Sequence, residues 1–485
     1  MISCTLIPGN GLDKKLAEHG LQHFRQKYGI SSNGNHTPAD IQITYSPLTD
    51  CDYKVQIILN DSAADQRSYI DVHGEKTPIF KIPQETTGEL HIARTITGDI
   101  AYPCISIKGN RINIGFDVFT EIGQILAGNY DEYFLKRDST GMSLRTTPIV
   151  DILEDALMSA IAEIIPEARL QQKIIWPSGH RFALVLTHDV DRVYKTYQYI
   201  PSILNSIRKS NFGDLEYHLL NLIFKHGENN PYWTFSDIIK LEESLGVKST
   251  YYFLNEKGRV NPFRPQSWIY YGGRYSINKP AIQKSIRELN VKGFEIGIHG
   301  SFNSYNNLRL LRLEKQMLEN ILNSKVTGIR QHYLNYDKNT PWIHNSCGLK
   351  YDTSIGYKPG YGIGFRRGTS YPFFIMLPEM TILPLLEIPL AIMDTALDSV
   401  WTREHCFKLI DQAEKYQGAL TILWHTNIFN RLEYPKMTEL YAEIIKKAKE
   451  KGAWIARASD VYKWVTESKI IKAAEKQPEG ILECV

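Results

Sequence analysis

The segment LTHDVDRVY, residues 186–194, places a histidine and two aspartates directly after the apolar run FALV. Because side chains alternate between the two faces of a strand, Asp189 and Asp191 share one face, and His188 points away unless the strand has already turned. Two carboxylates at a strand end, with histidines from neighbouring strands, suit a divalent metal that keeps one coordination position open for water. The pattern indicates hydrolysis at a metal centre, with zinc as the expected ion.

Several other apolar segments also end in ionisable side chains: His299 in FEIGIHG (294–300), Arg330 and His332 in VTGIRQHYL (326–334), Asp352 in LKYDTSI (349–355), and His425 after LTILW. A single histidine at a strand end is usually a hydrogen-bonded structural residue. Asp352 is as consistent with an Asx-turn as with a site. Taken together, these strand ends indicate one shared site, in which a carboxylate acts as general base and a histidine as general acid.

The elements that must position these residues alternate between strand-like and helix-like segments from residue 182 to residue 465. Repeated βα units predict a parallel sheet, either a barrel or a doubly wound sheet. In both arrangements the carboxyl ends of the strands meet at one edge, where such proteins build their sites. The ionisable residues above are therefore expected to converge.

The chain changes character near residue 175. Before it, short alternating stretches such as residues 54–60 and 110–116 precede amphipathic helical segments, a pattern typical of an α+β module. A chain of 485 residues also exceeds the usual size of a single hydrophobic core. We predict an N-terminal α+β domain (1–174), a βα domain (175–467) and a polar C-terminal tail (468–485).

Composition narrows the function classes. The formal net charge of +3 is too small to indicate nucleic-acid binding. The apolar stretch 371–393 is interrupted by four prolines, so it fits buried strands and loops better than a transmembrane span. The N-terminal residues do not resemble a secretory signal, from which we expect a cytoplasmic location.

The order of these motifs resembles the polysaccharide deacetylase family, carbohydrate esterase family 4 with its NodB-homology domain, over roughly residues 175–465. THDVD is similar to the family's T-F-D-D-G motif at Thr187 and Asp189, with the second aspartate displaced to Asp191. HGSFNS resembles H-[S/T]-x-x-H, with His299 in the first position and Asn303 where the second histidine would stand. RQH, residues 330–332, resembles R-x-P, and LTILWH resembles the family's last motif.

The resemblance implies a distorted (β/α) barrel and the hydrolysis of N-acetyl or O-acetyl groups on sugars of a bacterial surface polysaccharide or its precursor. It further implies that Asp189 is the base, Arg330 orients Asp189 through a bidentate pair, and His425 is the acid. The metal, expected to be zinc, would be held by Asp191 and His299.

Two further candidate ligands and one binding residue complete this interpretation. His332 shares a strand face with Arg330 and could supply the imidazole that Asn303 lacks. Ser304 is another candidate ligand, and Asp352 a candidate substrate-binding residue. The departures from the family motifs leave two alternatives open: a metal-free amidohydrolase acting on a small amide, and an inactive carbohydrate-binding or scaffold protein.

Overall fold

The protein is described by a computed structural model that covers residues 3–6, 13–32, 40–45, 53–60, 66–96, 101–137, 144–168, 176–256, 261–265, 267–268 and 275–467. These residues form two sheets, each with its own helices. The predicted boundary between residues 174 and 175 and the predicted tail 468–485 lie outside the described residues.

The first sheet is mixed and belongs to the N-terminal module. Its strands are β1 Ser3–Leu6, β2 Ser31–Ser32, β3 Ile41–Thr44, β4 Val55–Leu59, β5 Ser68–Val72, β6 Glu75–Ile79, β7 Leu90–Thr95, β8 Pro103–Lys108 and β9 Arg111–Ile114. They lie in the order β2-β1-β3-β4-β9-β8-β7-β5-β6. Pairs from β2 to β9 in this order are parallel, and the remaining pairs are antiparallel.

The helices of this module are α1 Asp13–Tyr28, α2 Val118–Ala127, α3 Asp131–Phe134 and α4 Ile149–Ile164. Helices α1 and α2 cross at two glycines. A Cβ atom at Gly20 would lie 2.1 Å from the carbonyl oxygen of Phe119, and one at Gly123 would lie 2.1 Å from that of Leu16. Only glycine permits the two backbones to approach this closely.

The second sheet carries the ionisable strand ends. Its strands are β10 Phe182–Val190, β11 Thr250–Leu254, β12 Glu295–Gly300, β13 Gly328–Gln331, β14 Tyr351–Asp352, β15 Phe373–Met376, β16 Ile382–Glu387, β17 Leu390–Met393, β18 Ala419–Leu423 and β19 Ala453–Ala456. The order is β15-β16-β14-β13-β12-β11-β10-β18-β17, and β19 also pairs with β10. Every pair is parallel except β15 with β16.

Helices accompany these strands as the alternation predicts: α5 Tyr199–Arg208, α6 Phe212–Phe224, α7 Phe235–Ser244, α8 Pro280–Val291, α9 Leu308–Leu322, α10 Thr340–Ser346, α11 Arg403–Lys415, α12 Pro435–Glu450 and α13 Ala458–Glu467. Strands β15 and β17 end the sheet and are not paired with each other among the described residues. The α/β prediction is confirmed, and the sheet is a curled half-barrel.

Strand β10 shows how the sheet divides the core. Phe182, Leu184 and Leu186 belong to the cluster that includes the surrounding helices. Ala183 and Val185 belong to a second cluster that is continuous with the N-terminal module. Because side chains alternate along the strand, one face of the sheet packs against the surrounding helices. The other face, at the amino ends of the strands, packs against the N-terminal module.

Polar contacts reinforce the attachment of the N-terminal module. The carboxylate of Asp151, in α4, accepts a hydrogen bond from the backbone N–H of Ser370 at 2.8 Å and ion-pairs with Lys27 of α1 at 2.8 Å. Nε2 of His19, also in α1, lies 2.8 Å from the carbonyl oxygen of Phe374 in β15. All of these side chains are buried, so the module and the half-barrel share one interior.

The structure corrects three local expectations. The segment LLEIPL (385–390), which its apolar sequence predicts as one strand, is instead the junction of β16 and β17, because Pro389 cannot donate a ladder hydrogen bond. The segment 326–334 leaves strand geometry after Gln331. Residues 199–224, to which the sequence assigned no element, form the helical pair α5–α6. None of the helices within the described residues is long and apolar enough to cross a bilayer.

Candidate metal and catalytic site

A cavity of about 520 Å³ opens at the carboxyl ends of the parallel strands. Its ionisable lining residues are Asp189, Asp191, Arg192, His299, His332, Asp394 and His425. They come from five different strand ends, those of β10, β12, β13, β17 and β18, which are distant in sequence and meet because the strands are parallel.

Three of these residues form a group able to hold a metal ion. Nε2 of His299 lies 3.0 Å from Oδ1 of Asp191, and Nε2 of His332 lies 3.3 Å from Oδ2 of the same carboxylate. One ligand atom from each residue lies within 4.8 Å of the others, and all three side chains are buried. Two imidazoles and one carboxylate form a donor set typical of a catalytic zinc site.

The donor atoms fit a metal better than they fit one another. Within the described residues, Nε2 of His299 and Nε2 of His332 make no hydrogen bond, although both are buried and close to Asp191. Buried polar atoms in native proteins normally have a partner. Both Nε2 atoms face the Asp191 carboxylate, and this arrangement can bind a cation.

A backbone carbonyl orients the imidazole of His299, whereas Nδ1 of His332 has a carboxylate nearby but makes no hydrogen bond within the described residues. Nδ1 of His299 lies 2.8 Å from the carbonyl oxygen of Arg330, which can only accept, so Nδ1 carries the proton and Nε2 presents its lone pair. Nδ1 of His332 lies 3.5 Å from Oε2 of Glu256, whose other oxygen accepts a hydrogen bond from the N–H of Phe302. Such outer contacts fix the tautomer and the ring orientation of metal-binding histidines.

The position of the chain turn after Gln331 explains why His332, and not the residue at position 303, belongs to the candidate metal site. After Gln331 the chain leaves the strand, and Tyr333 and Leu334 adopt φ values of 58° and 49°. His332 therefore sits at the last position before the turn, on the cavity side. Asn303, which stands at the second histidine position of the family motif, is exposed to solvent.

Burial and charge act in opposite directions on this group. Burial raises the pKa of Asp191, but the imidazoles of His332 and His299 outweigh it and hold this pKa well below its ordinary value. Burial lowers the pKa of His299. The carboxylates of Asp189 and Asp191 raise this pKa by a larger amount, so the net shift is upward. The Asp191 carboxylate is therefore stabilised in its ionised form by neighbouring positive charge.

Asp189 lies beside the group and contacts a buried arginine. Nη1 of Arg330 is 3.1 Å from Oδ1 of Asp189 and also donates to the hydroxyl of Thr187 at 2.7 Å. Nε of Arg330 donates instead to the carbonyl oxygen of Thr353 at 3.0 Å. The expected bidentate pair is thus a single contact, because the guanidinium also bonds to Thr187 of β10 and to Thr353, just after β14.

His425 is paired with an aspartate that the sequence analysis missed. Nδ1 of His425 lies 2.7 Å from Oδ1 of Asp394, whose other oxygen accepts the backbone N–H of His425 at 2.6 Å. Nε2 faces the cavity, 3.9 Å from Asp191. Burial lowers the pKa of His425, but the Asp394, Asp191 and Asp189 carboxylates raise it to about 9. The signal for Asp394 was its position directly after the apolar strand LAIM.

The structure places the remaining candidates away from the ligand group. Ser304 is buried, with its hydroxyl donating to the carbonyl oxygen of Ser301 and accepting from Nε2 of Gln331. Asp352 does not line the cavity: its carboxylate accepts the N–H of Ser354, as in an Asx-turn, and contacts Nδ1 of His344 at 2.8 Å. The roles proposed for Ser304 and Asp352 remain predictions.

Two histidines outside the cavity complete the account. His188 points to the opposite face of β10, as strand alternation predicts, where its ring nitrogens contact Glu242 and the carbonyl oxygen of Trp424, each at 2.8 Å. The sequence places His344 in a loop or helix and predicts it at the surface, but it is buried against Asp352. The expectation was wrong because α10 turns this residue toward the end of β14.

No family model matches the chain, and no curated protein sequence matches it. Among solved structures, it is similar to a protein described as a polysaccharide deacetylase from Mycobacterium smegmatis (14% identity, 64% of this chain and 98% of the other, TM-score 0.37). It is also similar to another so described from Pseudomonas aeruginosa PAO1 (13% identity, 61% and 94%, TM-score 0.39).

A third similar structure is a carbohydrate esterase family 4 pseudoenzyme from Bacillus anthracis (12% identity, 58% of this chain and 65% of the other, TM-score 0.30). A further part of this chain lies outside each of the three matches. The chain thus has distant structural similarity to the polysaccharide deacetylases of carbohydrate esterase family 4.

Proposed function

We propose that this chain is a metal-dependent hydrolase that removes acetyl groups from N-acetylated or O-acetylated sugars of a bacterial surface polysaccharide or its precursor. The observation that carries the proposal is the buried group Asp191, His299 and His332, which lies in one cavity with Asp189 and the His425–Asp394 pair. Metal donors, a carboxylate base and a histidine acid are the parts that hydrolysis of an amide or ester requires.

The roles of the side chains follow from their contacts. A divalent ion, zinc by our expectation, would be held by Asp191, His299 and His332 and would supply Lewis acidity toward a carbonyl group. Arg330 orients Asp189, so that this carboxylate can accept a proton from the attacking water.

The His425–Asp394 pair provides the opposite proton transfer. Asp394 holds the proton on Nδ1 of His425, so the ring presents Nε2 to the cavity. The raised pKa of His425 favours the protonated ring at neutral pH, the form that donates a proton to a departing amine or alkoxide. Met393, Leu423 and Ile428 line the same cavity and offer an apolar surface to an acetyl methyl group.

The test begins with metal content. We expect the purified chain to hold about one zinc ion, measured by elemental mass spectrometry, and to release acetate from N-acetylglucosamine oligomers. Asp191→Ala and His332→Ala should lose both the ion and the activity. Asn303→Ala is the matched control and should keep both, because Asn303 is exposed and is not a member of the buried group.

Three outcomes would contradict parts of the proposal. If His332→Ala binds zinc as tightly as the parent, His332 is not the third ligand. If the parent binds no metal but still hydrolyses a small cyclic amide, the metal-free amidohydrolase is correct. If it binds glycans without metal and without turnover, the chain is a carbohydrate-binding or scaffold protein.

A further inference from the structure

The helical pair α5–α6 lies between β10 and α7 and exposes its apolar side chains to solvent. A surface helix normally buries its apolar stripe and exposes its polar one. In this pair, large apolar side chains point outward: Ile200, Leu204 and Ile207 of α5, and Phe212, Leu219, Leu220, Leu222, Ile223 and Phe224 of α6 are all exposed.

The side chains that face inward are partly polar. Ser206 of α5 is buried, with its hydroxyl bonded to the carbonyl oxygen of Ser202. In α6 the buried residues are His218, which lies 3.3 Å from Nζ of Lys195, and Asn221, which donates to the carbonyl oxygen of Tyr217. Of these contacts, the one between His218 and Lys195 leaves the pair, and the apolar side of both helices remains uncovered.

The outward apolar residues recur at helical spacing. Ile200, Leu204 and Ile207 are four and then three residues apart, and Phe212, Leu219 and Ile223 fall on one face of α6. Leu204 is 61% exposed and Ile223 is 59% exposed. A regular apolar face of this kind on both helices indicates an interaction surface rather than scattered exposure.

The helical pair is attached close to the catalytic cavity. The pair follows the carboxyl end of β10, and the hydroxyl of Tyr217 in α6 accepts a hydrogen bond from Asn430 at 3.2 Å. Nζ of Lys195 pairs with Glu433 at 2.9 Å, next to Tyr434, which lines the cavity. The apolar pair is thus attached to a wall of the cavity.

Other loops at the same end of the sheet also expose large apolar or aromatic side chains. Phe263 and Trp268 follow β11, Tyr333 follows β13, and Leu432 follows β18. Phe263 and Leu432 are 93% and 74% exposed. Since parallel strands direct these loops to one end of the sheet, the apolar side chains lie at the end that carries the cavity, and Tyr333 lines it.

Cations accompany the apolar face. Arg208 and Lys209 lie at the turn between the two helices, Lys225 ends α6, and Arg431 adjoins Leu432; all four are exposed. The described residues place no carboxylate within 4.0 Å of these side chains. The exposed carboxylates of Asp214 and Glu216 lie in the first turns of α6, where the helix dipole favours them.

We propose that the α5–α6 face and the neighbouring loops bind the surface of an anionic lipid bilayer. Apolar side chains would enter the interface, and Arg208, Lys209, Lys225 and Arg431 would meet the lipid phosphates. Helices of 10 and 13 residues are about 15 and 20 Å long, too short for a hydrocarbon core of about 30 Å, so they lie along the surface.

A second copy of the chain fits this face less well. The apolar residues extend from α5–α6 to several separate loops, so a second copy would need a shape complementary to all of them. A bilayer needs no complementary shape, and it attracts the cations that a second identical face would repel.

The experiment is co-flotation of the full chain with vesicles of phosphatidylcholine that contain phosphatidylglycerol, compared with phosphatidylcholine alone. We expect stronger binding to the anionic vesicles. The double substitution Leu204→Glu and Ile223→Glu should lower binding at least about tenfold. Val291→Glu is the control, because Val291 is also apolar and is 85% exposed, but it ends α8, just before β12 begins at the other end of the sheet.

Circular dichroism and zinc binding of each variant would show that the fold is retained, and neither readout depends on catalytic activity. Loss of flotation in the α5–α6 variant alone supports the proposal. Failure of the parent to float with either vesicle overturns it. Sedimentation that shows a dimer, abolished by the same two substitutions, also overturns it and assigns the face to a second copy.

Discussion

Asp394 acts through a single partner, His425. It contacts both the backbone N–H and the ring Nδ1 of His425, so it determines where that ring points and which nitrogen carries the proton. An aspartate that acts through a histidine in this way is a positioning residue.

We predict that Asp394→Asn lowers kcat on an acetylated sugar by about 10²- to 10⁴-fold, the usual contribution of general acid–base catalysis, with little change in KM. The amide keeps the shape of the carboxylate but loses the charge that stabilises the protonated ring. Steady-state kinetics would measure the effect, and the zinc content should equal that of the parent. An unchanged kcat would show that His425 needs no carboxylate partner.

At the scale of elements, the crossing of α1 and α2 depends on close backbone contact. At Gly123 an added Cβ would meet backbone atoms of Leu16, which cannot move aside as a flexible side chain could. The helices must separate to admit a methyl group, and the apolar contacts around Phe24 and Phe119 must then loosen.

Gly123→Ala should therefore lower the free energy of unfolding by about 1–3 kcal/mol, the usual cost of overpacking. Urea unfolding would measure it. The matched control is Gly213→Ala in α6, where the nearest atom to an added Cβ is Oδ1 of Asn211 at 3.6 Å. There we expect a neutral or slightly stabilising effect, because alanine favours helix. Equal destabilisation at both sites would refute the crossing argument.

At the scale of the whole molecule, the N-terminal module and the half-barrel are joined through buried polar groups. His19 is the titratable one with the clearest pH dependence. Burial is the largest influence on its ring and lowers the pKa from 6.5 to about 4, although the carbonyl oxygen of Phe374 accepts a hydrogen bond from it. The folded state therefore keeps His19 neutral where the unfolded state protonates it.

The sign follows from linkage: stability is fully present above about pH 6.5 and falls as the pH decreases toward about 4. Between about pH 7.5 and about pH 5, this one group should cost roughly 2 kcal/mol. Urea unfolding at the two pH values should show a smaller loss in His19→Gln, whose amide can still donate to Phe374. Equal losses in parent and variant would exclude His19 as the cause.

Both the α/β class and the end of the sheet that carries the site were predictable from the sequence. Strand and helix periods are local, and the ionisable residue after each apolar run is local too, so Asp189, Asp191, His299, His332 and His425 could be named. The opposite direction of His188 also followed from alternation along a single strand.

Only the tertiary structure determined which side chains of the site contact one another. Strand order brings the end of β17 beside that of β18, which pairs Asp394 with His425, and the turn after Gln331 aims His332 at Asp191. The same holds for α5–α6: a helical period shows which residues share a face, but not whether that face is turned toward the protein or away from it. Contacts between distant segments depend on the packing of the whole chain, which no local pattern contains.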